Sequence, residues 1–217
     1  MKNRLKRVNV GCGSTPTPDW HNYDNSLTVR LAKYPLLIVI LGKLGLLGEV
    51  QRSFASIVRN CNIIWADATK HIPLSDNVVE ALYTSHMIEH LERDDVQRFL
   101  HEAHRVLAPN GKIRIAVPDV KKLMDQYMTE GDANLFIERT VLTCPRPKTV
   151  FAKLKYFVVG ARHHLWMYDG ASIVRLLSEM GFKDPRILGP GSTTIPNPGP
   201  LDLYERAEES VYVEAYK

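Results

Sequence analysis

The chain has 217 residues, 45% of them hydrophobic and 24% charged, with a formal net charge of +4. That is enough for one domain with a sizeable core, and the charge is too mild to point to nucleic acid, with no basic run beyond Lys2, Arg4, Lys6 and Arg7. The three cysteines, Cys12, Cys61 and Cys144, are odd in number and outside any CxxC spacing, which favours a reducing compartment.

The basic start runs into Val8-Asn9-Val10-Gly11-Cys12-Gly13, too short and too rich in glycine for an export segment. Arg7 to Val10 reads as a buried strand whose glycine-bearing end lets the backbone turn sharply near a ligand. Trp20 to Asp24 reads as a second strand ending in a carboxylate, the group that nucleotide-binding sheets offer to ribose hydroxyls. Only about ten residues separate Gly13 from Asp24, where a full helical crossover needs roughly twenty. With Pro16 and Pro18 between them, the first crossover must be abbreviated.

Residues 25–60 form an insertion. Its apolar run, Tyr34 to Gly48, is broken by Pro35 and Lys43 and falls short of the roughly 18 residues a membrane span needs. It reads as a buried helix, with a helix lying on a membrane surface as the alternative. Val50, Phe54, Ile57 and Val58 then repeat at helical spacing, and Asn62 to Asp67 is a third strand that again ends on an acid.

The stretch 81–119 is one complete crossover. Ala81 to Ser85 is a β-prone strand, and Asp94 or Asp95 is the expected N-cap of a helix with Val96, Phe99, Leu100, Ala103, Val106 and Leu107 on one face. Pro109-Asn110-Gly111 supplies a turn able to hold a positive φ. Lys112 to Val117 follows as a strand with Ile113, Ile115 and Val117 on one side. A strand joined to the next by such a helix predicts a parallel pair. A second insertion, 131–162, contains Cys144-Pro145-Arg146-Pro147 and a helix expected over Thr149–Val159. Asp169 is a good N-cap for a helix carrying Ile173, Val174, Leu176, Leu177 and Met180 and stopping at Gly181. Strands near 186–188 and over 210–216 complete the chain.

VNVGCG at 8–13, the acid ending strand two, WADA at 65–68, YTSHMIEHL at 83–91, HRVLAPNGKIRIAVPD at 104–119 and the helix ending in GF at 181–182 together resemble the class I S-adenosylmethionine-dependent methyltransferases. The EHL to RVLxPxG to VPD succession looks like that of a subgroup of small methyltransferases associated with surface-polysaccharide and glycolipid biosynthesis. The resemblance implies one α/β domain over 1–217: a Rossmann-like seven-stranded sheet, six strands parallel and one antiparallel, with helices on both faces and helical insertions at about 25–60 and 131–162. It also implies S-adenosylmethionine as cofactor. Gly11, Cys12 and Gly13 would line its methionine and ribose part, Asp24 the ribose hydroxyls, with Asp19 or a residue of the first insertion as the alternative. Asp67 and Ala68 would meet the adenine, and Ser85 and His86 the sulfonium.

Methyl transfer from a sulfonium is an in-line displacement that needs alignment and exclusion of water. A hydroxyl acceptor also needs a base, and histidine is the natural one near neutral pH. The candidates are His163 or His164, then His86, with Asp119 and Tyr168 as orienting groups; His90 reads as a packing residue at a helix start. The rival reading lies in the same stretch: His86-Met87-Ile88-Glu89-His90 spells HxxEH, with which inverzincins hold zinc between histidines four apart. That pattern needs one helix, and His86 abuts a strand. A zinc hydrolase would also leave the glycine loop and acid-ended strands without a role, so no metal is expected. A non-catalytic protein that binds the cofactor or a glycan is the rival from another class. The expected acceptor is a small molecule, a saccharide or a lipid-linked compound. The expected location is the cytoplasm or the inner face of a membrane, touched through 34–48 or 149–159.

Overall fold

The computed structural model describes residues 5–143, 148–150, 152, 153, 156 and 163–217. Cys144-Pro145-Arg146-Pro147 and much of the helix expected over 149–159 lie outside them.

One seven-stranded sheet runs through the chain. Its strands are β1 (Lys6–Val10), β2 (His21–Asp24), β3 (Ile64–Trp65), β4 (Val79–Ser85), β5 (Leu107–Pro118), β6 (Lys183–Leu188) and β7 (Ser210–Tyr216), in the order β3-β2-β1-β4-β5-β7-β6. The pairs β1–β2, β2–β3, β1–β4 and β4–β5 are parallel, and β7 runs antiparallel between β5 and β6. This is the expected sheet of six parallel strands and one antiparallel one.

The helices are α1 (Leu27–Leu31), α2 (Pro35–Lys43), α3 (Glu49–Asn60), α4 (Arg93–Val106), α5 (Val120–Glu130), α6 (Ala133–Thr140) and α7 (Gly170–Glu179), with a 3₁₀ turn at Ile88–His90. On α4 the residues at three- and four-residue spacing, Val96, Phe99, Leu100, Ala103 and Val106, are completely buried against Ile113, Ile115 and Leu82 of the sheet. Each of the larger ones, Val96, Phe99, Leu100 and Val106, contributes about 1.5–3 kcal/mol by leaving water. The N-cap of α4 is Glu92 rather than Asp94 or Asp95, which lie in its first turn and there interact favourably with the helix dipole. Arg105 of α4 donates to Glu102, Asp76 and the carbonyls of Ile72 and Leu74, fastening the segment that leads from β3 to β4. At the turn between α4 and the regular part of β5, Asn110 holds φ 63°. A Cβ on Gly111 would lie 2.7 Å from the Val79 carbonyl oxygen, so only glycine fits there.

Asp169 caps α7 as expected, in a reciprocal pair of hydrogen bonds with Ser172. On the opposite side of the sheet Trp20, Ala81, Tyr83, Ala116 and Tyr212 pack under Ile195 and Leu201 of the loop between β6 and β7. Arg114 and Glu214, facing each other across β5 and β7, form a buried ion pair at 2.7 Å. Thr193 and Thr194 donate their hydroxyls to the same carboxylate, and Arg114 also donates to the Ser192 carbonyl, so this pair anchors the loop.

Two further expectations need correction. The third strand is two residues long, not six, and both residues are exposed because β3 is an edge strand with one partner. The apolar run at 34–48 is not a buried helix. In α2 only Ile38 is buried, while Leu36 is 75% exposed and Val39 and Ile40 are also open to solvent. Leu46 and Leu47, just beyond α2, are buried, and Leu47 joins Cys12, Val29, Ala55 and Val58 in a second apolar cluster. The insertion's own core is thus closed by its other residues, which leaves α2 on the outside.

Candidate active site

A cavity of about 650 Å³ opens at the C-terminal ends of β1 to β4, a volume within the range of small-molecule sites. The strand order reverses between β1 and β4, and in open α/β sheets ligands sit at that crevice. Its floor is Val10, Gly11, Gly13 and Ser14 after β1, Asp24 and Asn25 after β2, Ala66, Ala68 and Thr69 after β3, and His86 and Met87 after β4. Its roof is Ser26, Leu27 and Thr28 at the start of α1 with Val50, Gln51 and Phe54 of α3.

The abbreviated crossover makes this floor. No helix separates β1 from β2; instead Gly11 and Cys12 both donate to the Tyr23 carbonyl. Buried Asn9 donates to Thr17 Oγ1 at 3.0 Å, and Asn22 exchanges hydrogen bonds with the Thr17 backbone. These amides satisfy a turn that a helix would otherwise satisfy internally. Gly11 has φ 68°, and a Cβ there would lie 2.4 Å from Met87 Cγ, so the turn needs glycine for both its backbone and its space. A Cβ on Gly13 would meet nothing within 4 Å, which leaves room for a ligand against the backbone.

Asp24 stands at the cavity wall. Its carboxylate accepts from Gly13 N at 3.0 Å and Ser26 N at 2.8 Å, one bond to each oxygen. Each oxygen keeps acceptor capacity toward the cavity. Asp67 differs. One oxygen accepts from Thr69 N and Oγ1 (3.2 and 2.7 Å), and the other pairs with Lys70 at 2.9 Å. Burial pushes this carboxyl up, but the bonds from Lys70 and Thr69 outweigh it and hold its pKa below the usual value. Asp67 is not in the cavity wall, whereas its neighbour Ala68 is. Asp19 is an exposed turn residue with φ 63°, away from the cavity.

Among the other candidates, Cys12 points into the apolar cluster of the insertion, and burial, with the Asp24 charge adding to it, raises its thiol pKa well above the ordinary range. The Ser85 hydroxyl is buried at the end of β4 and does not line the cavity. His86 does, in a left-handed conformation with φ 48°. Arg206 donates to its Nδ1 at 2.7 Å, so its Nε2 carries the proton that is donated to Ser210 Oγ at 2.8 Å. His164 is buried behind His90, their rings edge-to-face at 4.9 Å. Burial pushes the His164 pKa down, against the opposing charge of Glu89. His163 contributes its carbonyl, which accepts from His90 Nδ1 at 2.9 Å. Of the expected orienting groups, Asp119 caps α5 through Lys121 N, and the Tyr168 hydroxyl accepts from Arg93.

The structure therefore brings Gly11, Gly13, Asp24, Ala68 and His86 to one cavity, and leaves Cys12, Asp67, Ser85, His163 and His164 outside its wall. His90, read from the sequence as a packing residue, lines the cavity, and Glu89 lies fully buried behind it. The HxxEH spacing was the available signal for both, although a strand end and a 3₁₀ turn carry it instead of one helix.

Comparison with known proteins agrees with this geometry. Residues 47–115 match the methyltransferase domain family. No curated protein matches the chain significantly in sequence. Its fold is similar to that of a Thermotoga maritima S-adenosylmethionine-dependent methyltransferase, described as a possible histamine N-methyltransferase, with a TM-score of 0.53 and 15% identity over 98% of this chain and 82% of that one. A Mesorhizobium loti S-adenosylmethionine-dependent methyltransferase gives a TM-score of 0.51 and 14% identity over 100% and 94%. The match over residues 47–115 and the strand order together make this chain similar to the class I S-adenosylmethionine-dependent methyltransferases, whose fold it shares.

Proposed function

We propose that the chain methylates a hydroxyl oxygen of a small or saccharide-type acceptor at the histidine-lined end of the cavity. S-adenosylmethionine supplies an electrophilic methyl group when bound. Gly11, Gly13, Asp24 and Ala68 would hold it, with Asp24 accepting from ribose hydroxyls; Asp67, which lies outside the cavity wall, would have to turn toward it to meet the adenine. The observation that carries this reading is the convergence of imidazoles at one end of the cavity: His86 and His90 line it, and His164 packs on His90. Such a group suits an acceptor that loses a proton as it attacks. His86 is the base best placed for this. It takes a proton at Nδ1 once Arg206, whose side chain is half exposed, moves aside.

The resemblance to methyltransferases of surface-polysaccharide and glycolipid biosynthesis favours a sugar hydroxyl. The exposed apolar face of α2 supports a lipid-linked acceptor met at a membrane surface. Among the described residues no helix is long and apolar enough to cross a membrane.

The test is methyl transfer to pooled saccharide and glycolipid acceptors, read as a gain of one methylene in product mass. His86→Asn, whose side chain tolerates the left-handed backbone, is expected to lower kcat by about 10²–10⁴-fold, with S-adenosylhomocysteine binding retained. Unchanged kcat in this variant would remove His86 from the role of base.

A further inference from the structure

Behind the histidine-lined end of the cavity lies a group that methyl transfer alone does not explain. Glu89 is fully buried, and neither of its carboxylate oxygens has a hydrogen-bond partner among the described residues. A buried carboxylate is normally bonded, paired or bound to a metal. The nearest cation candidate is His86, with Nδ1 at 3.4 Å from Glu89 Oε1. That nitrogen accepts from Arg206 at 2.7 Å, so it offers Glu89 no proton. Two further imidazoles face the carboxylate. One ring nitrogen of His90, one of His164 and one Glu89 oxygen all lie within 4.8 Å of one another.

The tautomers fit coordination. His90 Nδ1 must carry a hydrogen to donate to the His163 carbonyl, which leaves Nε2 as a free lone pair. A backbone carbonyl holding the far nitrogen of an imidazole is the usual support of a metal-ligating histidine. His164 Nδ1 is buried with no hydrogen-bond partner among the described residues. Ligands about 2.1 Å from a common ion in tetrahedral geometry stand about 3.4 Å apart, so side-chain rotations that bring the three atoms together by up to roughly 1.4 Å would close the cluster. Burial of Glu89 and His164 between the 3₁₀ turn and the segment before α7 holds it together: the backbone N–H groups of Leu165 and Trp166 both donate to the Glu89 carbonyl.

We propose that Glu89, His90 and His164 bind one divalent first-row cation, of the manganese, iron, cobalt or zinc class, at the acceptor end of the cavity. Two imidazoles and one carboxylate leave coordination positions open. His90 belongs both to this cluster and to the cavity wall, so an acceptor oxygen in the cavity can occupy an open position. A hydroxyl on such a cation is more acidic and is fixed in place. The site therefore favours acceptors that offer two neighbouring oxygens, such as a vicinal diol. The acceptor class rests on the methyltransferase reading above; the cation site does not. HxxEH is here a ligand source for group transfer, not the helix-borne zinc site of a hydrolase.

The experiment uses the full chain, stripped with chelator and titrated with Co²⁺, Mn²⁺ and Zn²⁺. Stoichiometry is read by elemental analysis and ligand geometry by the visible spectrum of the cobalt form. One equivalent is expected, with affinity reduced at least about 100-fold in Glu89→Gln and in His164→Ala. S-adenosylhomocysteine titration of each variant reports whether the cofactor site is intact. The proposal is overturned if wild-type protein that binds S-adenosylhomocysteine takes up no cation, or if both variants bind cations as wild type does. Cation binding without S-adenosylhomocysteine binding would uphold this site and count against the cofactor reading instead.

Discussion

The floor and the roof of the cavity are built on different physics. The floor stands on strand ends whose residues reach into the main core, where the apolar face of α4 packs on the central strands. The roof is the insertion 25–60, three helices closed over a small cluster, with one of them turning most of its leucine, valine and isoleucine side chains to solvent. A rigid floor fixes where a cofactor lies; a thinly anchored roof is free to adapt to an acceptor or to another surface.

Core truncation should separate the two most strongly. Phe99→Ala, under the floor, is expected to cost about 3–5 kcal/mol in urea unfolding. In contrast, Leu36→Ser with Ile40→Ser, on the exposed face of α2, is expected to change stability by no more than about 0.5 kcal/mol for each site, while lowering cosedimentation with anionic lipid vesicles. A large loss of stability from the α2 changes would show that the roof carries core weight after all. Unchanged vesicle binding would remove the membrane role of α2.

A smaller, pH-dependent contrast lies in the Arg114–Glu214 pair. Burial pushes the Glu214 pKa up, but Thr193, Thr194 and Arg114 donate to the carboxylate and bring it below the usual value. Because the folded pKa is depressed, the stabilisation is complete above the unfolded value of about 4.3 and is lost as pH falls through the folded value. Thermal unfolding from pH 7 to pH 3 should show this loss in the wild type. The loss should be smaller in Glu214→Gln, which is already destabilised at pH 7.

Much of the floor was legible in the sequence because it follows short-range rules. The face of α4, the Asp169 cap and the turn at Asn110-Gly111 each depend on residues a few positions apart. The missing helix between β1 and β2 was legible too, from Pro16, Pro18 and the short spacing. The roof was not. Whether Leu36 and Val39 are buried depends on whether other residues already fill the insertion's core, and Leu47, Val29 and Cys12 do so from outside α2. The partnership of Glu89 and His90 with His164 was equally hidden. It joins residues some 75 positions apart, brought together by the backbone bonds from Leu165 and Trp166 to the Glu89 carbonyl and by the bond from His90 to the His163 carbonyl. HxxEH hinted at half of it, in a spacing whose usual helical context is absent.

The most direct test of the account is calorimetric titration of the metal-free protein with S-adenosylhomocysteine, compared between wild type, Asp24→Asn and Asp67→Ala. We predict saturable one-site binding, weakened about 10- to 100-fold by loss of the Asp24 charge, equivalent to roughly 1.5–3 kcal/mol for hydrogen bonds to a charged group. Asp67→Ala should have a smaller effect, because Asp67 lies outside the cavity wall that Asp24 lines. Absence of binding by folded wild-type protein, or full affinity in Asp24→Asn, would contradict the cofactor site described here.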